Sequence, residues 1–209
     1  MIRPFRNRRI VRYLVTVSAC VVSLVSAALA EGGVVRFSVL RFSPTGDWQG
    51  RLIGETVTVE ADSAVGAGLS YELRPTHRWG VETAISLADV DFNLSVRGAG
   101  SAKLGSALLL PLTFGLNFHP LPAKSRTDLY VGPMLGWVFW GNLRTDSGDV
   151  EADSEFTLGA QVGVAIAFSS KSRWSFDAAV QYLRFPLADQ SISVDVDPFV
   201  LRVGLASHF

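Results

Sequence analysis

Residues 197–209 read DPFVLRVGLASHF. From Phe199 onward every second residue is apolar or aromatic: Phe199, Leu201, Val203, Leu205 and Phe209, with Ser207 breaking the run. Between them stand Arg202, Gly204, Ala206 and His208, with Val200 the apolar exception. Successive strand side chains point to opposite faces, so the stretch predicts a strand with one apolar face and one mixed face.

Seven earlier segments alternate in the same way, at residues 34–42, 63–74, 79–89, 107–118, 129–140, 156–168 and 174–185. The cleanest is 156–168. There Phe156, Leu158, Ala160, Val162, Val164, Ile166 and Phe168 face one way, and Thr157, Gly159, Gln161, Gly163, Ala165 and Ala167 the other. Each run is about the ~9–11 residues a tilted strand needs to cross a bilayer. The connections alternate too. Those at 75–78, 119–128 and 169–173 are short or proline-bearing, whereas 43–62, 90–106, 141–155 and 186–196 are mostly longer and polar or glycine-rich. Outer-membrane barrels have short periplasmic turns and long external loops. The expected fold is therefore all-β, an eight-stranded antiparallel transmembrane β-barrel over residues 31–209. A closing strand that ends on Phe209 resembles the terminal signal read by the barrel-assembly machinery.

The 209 residues carry 19 basic and 19 acidic side chains. Residues 1–30 hold five of the arginines and no acid, followed by an apolar run and Ala28-Leu29-Ala30, which predicts a secretory signal peptide cleaved after Ala30. A competing reading takes Val17-Ser18-Ala19-Cys20 as a lipoprotein box, against which apolar sequence continues through Leu29. Residues 31–209 then hold 14 basic against 19 acidic residues, which offers nothing to a nucleic-acid partner. The single cysteine lies in the signal, leaving no disulfide. Mean hydropathy of +0.29 without a ~20-residue apolar run fits strands rather than membrane helices.

Trp79 and Trp174 open strands just after short turns. With Tyr71 and Tyr130 near the same end, and Trp137, Trp140 and Phe42 near the loop end, they are expected to form aromatic belts at the two interfaces. Arg36, Glu72, Glu82, Asp177 and Arg202 fall on the opposite face. Charge facing lipid at mid-depth costs a few kcal/mol, so these residues are expected inside, as an ion-pair network with Gln181 alongside. Such a network either plugs the lumen or borders a solute path. Pro111 and Pro133 interrupt strand patterns and predict bulges or local breaks.

Short motifs spread over most of residues 31–209 carry a resemblance: Val35-Arg36 through Ser43-Pro44, Gly66-Ala67-Gly68-Leu69-Ser70-Tyr71 followed by Trp79-Gly80-Val81-Glu82, Leu129-Tyr130-Val131-Gly132-Pro133, and Asp197-Pro198. In this order they resemble the OmpW family of small outer-membrane barrels. The ending Ser207-His208-Phe209 departs from the aromatic-basic-Phe pattern expected there. The resemblance implies residence in the outer membrane of a Gram-negative bacterium, contact with its lipid, and passage of small hydrophobic molecules rather than a wide aqueous pore.

Two other classes remain open. A barrel that displays adhesive or structural loops would use residues 43–62, with Trp48, Leu52 and Ile53 among Gly and Asp. A lipid-modifying enzyme would need a His and a Ser at the outer leaflet. His77, His119 and His208 all fall at the periplasmic end of the expected topology, so no catalytic residue is assigned. No metal cluster, phosphate loop or cofactor motif is present in the sequence.

Overall fold

The computed structural model describes residues 32–209 apart from 46, 53–54, 97–99, 123–124, 142, 146–147, 151–154, 190–191 and 197. The expected signal peptide, its alternative site Cys20, and Ile53 lie outside them. Among the described residues thirteen strands form, and eight of these close into an antiparallel barrel. In chain order the barrel strands are β1 (Gly33–Ser43), β2 (Ala64–Leu73), β3 (Trp79–Val96), β4 (Gly100–Phe118), β5 (Thr127–Trp140), β6 (Glu155–Ala167), β7 (Trp174–Asp189) and β8 (Phe199–His208). Each pairs with its sequence neighbour, and β8 pairs with β1 to close the cylinder. Closure leaves no unpaired barrel edge, which a strand in hydrocarbon cannot tolerate.

Alternation becomes burial. On β5 the odd positions from Leu129 to Trp137 are exposed and the even positions from Tyr130 to Val138 are buried. Phe37, Val39, Val81, Leu87, Val162, Phe176, Leu201 and Val203 likewise stand exposed on the outer wall, where lipid replaces water as the favourable contact.

One expectation about the strands is corrected, and a second, bulges or local breaks at the prolines, resolves to local breaks. The 90–106 connection is not a loop, because β3 and β4 continue as one hairpin through Val96 and Gly100, with a register shift at Phe92/Asn93. The backbone ladder simply extends above the membrane, as it also does in the hairpin Asp47–Leu52/Glu55–Ala61 and in Ile192–Val196, which pairs with β7. The prolines produce gaps and not bulges. The β3–β4 pairing skips Ser86 and Leu87 opposite Leu110 and Pro111, then resumes in the same register. The β4–β5 pairing skips Leu116 and Asn117 opposite Gly132 and Pro133 and also resumes unchanged. Proline lacks the N–H that the ladder needs.

Candidate functional site: a charged plug beneath an apolar layer

The lumen has two layers. Toward the external loops, Leu40, Phe42, Ala64, Ala88, Val90, Leu109, Val138, Leu183 and Val200 form an apolar cluster, with Phe92 and Trp140 packed against it. Toward the short turns the interior is polar. The inward positions near that end of every strand carry side chains that can only be buried if paired.

Arg36 and Arg202 are the cations of this lower layer. Arg36 is bonded to Glu72, donates from Nε to Asp177 Oδ2 at 3.2 Å, and sends Nη1 to 3.7 Å from Glu82 Oε1. Arg202 donates from Nη1 to Glu82 Oε1 at 2.8 Å and holds Nε 3.6 Å from Asp177 Oδ1. Each carboxylate is thereby shared between strands far apart in sequence. Tyr130 ties the two arginines together: its hydroxyl accepts from Arg202 Nη2 at 2.7 Å and donates to Asp177 at 3.1 Å, while the Arg36 guanidinium lies 5.0 Å from the ring centroid. On the opposite side Asn117 and Gln161 both donate to Glu82 Oε2, at 3.0 and 2.7 Å, and Gln181 donates to Gln161 Oε1 at 3.0 Å.

At the periplasmic rim, His119 follows the last residue of β4 and is 1 % exposed. Its Nε2 lies 2.6 Å from Glu72 Oε1 and its Nδ1 lies 2.9 Å from Asp128 Oδ1. Only an imidazolium donates from both ring nitrogens. Burial acts to lower the His119 pKa, but the hydrogen bonds to Asp128 and Glu72 outweigh it, and the pKa is raised. Arg74 completes the rim, reaching Glu72 Oε1 at 3.1 Å and Asp128 Oδ2 at 2.7 Å. Arg36, Arg74 and Arg202 against Glu72, Glu82, Asp128 and Asp177 leave one negative charge, which a protonated His119 neutralises.

Two glycines make room for the plug. A Cβ at Gly80 would lie 1.9 Å from Glu72 Oε1, and one at Gly163 would lie 2.2 Å from Tyr130 Cζ. A cavity of about 10 Å³, room for one water, remains above the plug, bordered by Ser38, Gly68, Ala84, Ser86, Pro111 and Arg202.

The structure thus brings Arg36, Glu72, Glu82, Asp177, Gln181 and Arg202 into one connected group. Sequence reading did not assign Asn117, Gln161, His119, Asp128 or Arg74 to it. The first two were visible as polar residues on inward parity.

The belts need correction. Trp79, Trp174 and Trp137 are exposed on the outer wall, Trp137 meeting Phe156 edge to face at 5.6 Å. Tyr130 is instead inside, because its inward parity and its hydroxyl are satisfied by Asp177 and Arg202. Phe42 and Trp140 point inward and belong to the apolar layer, where Trp140 packs against Phe92 with the rings tilted by 55°. Tyr71 keeps outward parity with Leu69 and Leu73 but is 7 % exposed, so it is not an open belt ring. All three histidines lie at the periplasmic end: His77 in the β2–β3 turn, His119 at the rim, and His208 with Nε2 3.1 Å from Ser175 Oγ.

A closed barrel of eight strands with an apolar outer wall, short turns at one end and hairpins at the other is a small outer-membrane β-barrel. The OmpW family profile matches residues 45–209, and the chain belongs to the OmpW family. It resides in the outer membrane of a Gram-negative bacterium. Among solved structures it is similar to the outer membrane protein OprG from Pseudomonas aeruginosa, with 19 % identity, coverage of 86 % of this chain and 97 % of that one, and a TM-score of 0.71. It is also similar to Neisserial surface protein A (14 %, 86 % and 98 %, TM-score 0.59). A third similar structure is the outer membrane protein AlkL in lipid bilayers (17 %, 86 % and 90 %, TM-score 0.55). At these identities the likeness is one of fold. No curated protein matches the sequence significantly.

Proposed function

We propose that this barrel is a conduit for small hydrophobic molecules, taking them in at its external mouth and releasing them sideways into the membrane. The observation that carries this reading is the division of the lumen. The upper layer offers a solute Leu40, Phe42, Val90 and Leu109, whereas the lower layer is closed by the Arg36–Arg202 network. A hydrophobic solute gains nothing by entering a layer whose charges would have to be separated. The β3–β4 gap at Pro111 lies beside the cavity above the plug and supplies a weak point in the wall. With room for only one water in that cavity, a solute leaving there requires the wall to open. The test is the refolded barrel in planar bilayers and liposomes. Low ionic conductance together with accelerated uptake of an apolar dye supports the conduit, and high conductance with no dye uptake contradicts it.

A plugged barrel that displays external hairpins is the second reading. It is favoured by the small cavity, and unchanged dye uptake at low conductance would select it.

A further inference from the structure

Among the described residues, the charges on the outer wall of the barrel strands lie in its loop-side half, and some of them are unpaired. On β3 the outward residues after Trp79 are Val81, Thr83, Ile85 and Leu87, and the first charge is Asp89. On β7 the outward residues after Trp174 are Phe176, Ala178, Val180 and Tyr182, and the first charge is Arg184. Both intervals span ten residues. At ~3.3 Å per residue and a tilt of ~40° that is ~25 Å, the height of the apolar band of an outer-membrane barrel. Asp89 and Arg184 therefore mark the outer boundary of the hydrocarbon.

Arg41 lies opposite Val65 on β2, one outward position before β1 ends at Ser43. Asp91 is neutralised by Lys103 at 2.9 Å. Arg41 and Arg184, both exposed, make no ion pair among the described residues. Between them, on β8, lies Phe199, which pairs with Ser43 on one side and Tyr182 on the other, its ring 5.3 Å from that of Tyr182. Two guanidiniums without an ion pair among the described residues thus flank an exposed aromatic pair on a lipid-facing surface, near the level where the outer leaflet presents its headgroups. Guanidinium binds phosphate in a bidentate fork, and an exposed arginine at this depth is stable where an anion meets it.

We propose that the upper outer wall of β7, β8 and β1 is a binding site for lipopolysaccharide, with Arg41 and Arg184 holding the phosphates of its lipid A headgroup and the Tyr182–Phe199 pair lying against its glycan and upper acyl chains. The site is independent of the lumen and of any conduit function.

The test is native mass spectrometry, with thermal unfolding, on the full barrel in phosphatidylcholine nanodiscs titrated with lipopolysaccharide. Dephosphorylated lipid A and phosphatidylglycerol serve as separate arms. The wild-type barrel should bind lipopolysaccharide at least tenfold more tightly than the Arg41→Gln/Arg184→Gln double variant. Arg41→Lys/Arg184→Lys should recover part of the loss. Both exposed variants should melt as wild type does without added lipid, which separates binding from folding. Equal lipopolysaccharide affinity in wild type and the Gln variant would overturn the proposal. So would equal affinity for dephosphorylated lipid A, or equal stabilisation by phosphatidylglycerol.

Discussion

Gly163 on β6 stands directly across from Tyr130 on β5, and the phenol ring occupies the space that a side chain at 163 would need. The strand wall is thinned here so that a large ring can lie flat on it. Its hydroxyl then reaches Asp177 and Arg202 in the middle of the lumen. A Gly163→Val substitution therefore should displace Tyr130, with no backbone strain of its own, and open the plug. The expected result is a lower unfolding midpoint on unboiled gels and a measurable ion leak in bilayers. A variant as tight and stable as wild type would show that Tyr130 does not hold the plug together.

Arg202 is paired with Glu82 and Asp177 in the interior. Arg202→Ala leaves two buried carboxylates short of a partner, a change that typically costs about 3–5 kcal/mol. Lys171→Ala in the exposed β6–β7 turn should cost about 0–0.5 kcal/mol. Urea unfolding followed by tryptophan fluorescence distinguishes them.

The chain's alternation made the cylinder legible. Eight runs with a two-residue period, and turns of alternating length, have few other solutions. Membership of the lumen network was legible for charged residues, because an inward position is the cheaper place for Arg36 or Asp177 within the hydrocarbon. It was less so for Tyr130, whose ring suits both an interface belt and a plug; only the cross-strand Gly163 separates the two, and that pairing depends on register. Arg74 and His119 join from the turn ends, where strand periodicity no longer dictates direction, and Asp128 shares the inward parity of Tyr130 but precedes the strand start read from the sequence at Leu129. Trp140 and Phe42 were misplaced for a related reason. The upper lumen is apolar, so an aromatic residue there has two favourable faces to choose from.

His119 gives the fold a pH dependence of defined sign. Its pKa is raised in the folded barrel by Asp128 and Glu72 despite burial. Its contribution to stability is therefore complete below the ordinary histidine pKa of about 6.5 and is lost as pH rises through the raised value. Unfolding midpoints should fall across this interval for wild type. In His119→Gln that part of the fall should vanish, and an unchanged slope would mean that His119 is neutral when folded.

Topology is checked by labelling single cysteines in intact cells. Ser101→Cys, in the β3–β4 hairpin, should react with an impermeant maleimide. Ser170→Cys, in the β6–β7 turn, should react only after the outer membrane is permeabilised. The reverse pattern would invert the barrel.

In the conduit proposed above, hydrophobic solutes leave through the wall at Pro111 and not through the plug. Pro111→Val restores the missing N–H beside Ser86 and Leu87 while keeping an apolar side chain on the inner face. The decisive measurement is the rate of apolar dye uptake by proteoliposomes containing wild-type or Pro111→Val barrel, with folded fraction and ionic conductance recorded in parallel. Uptake by Pro111→Val should fall at least several-fold at equal folded fraction and equally low conductance. Wild-type uptake by a folded Pro111→Val barrel would contradict this exit route.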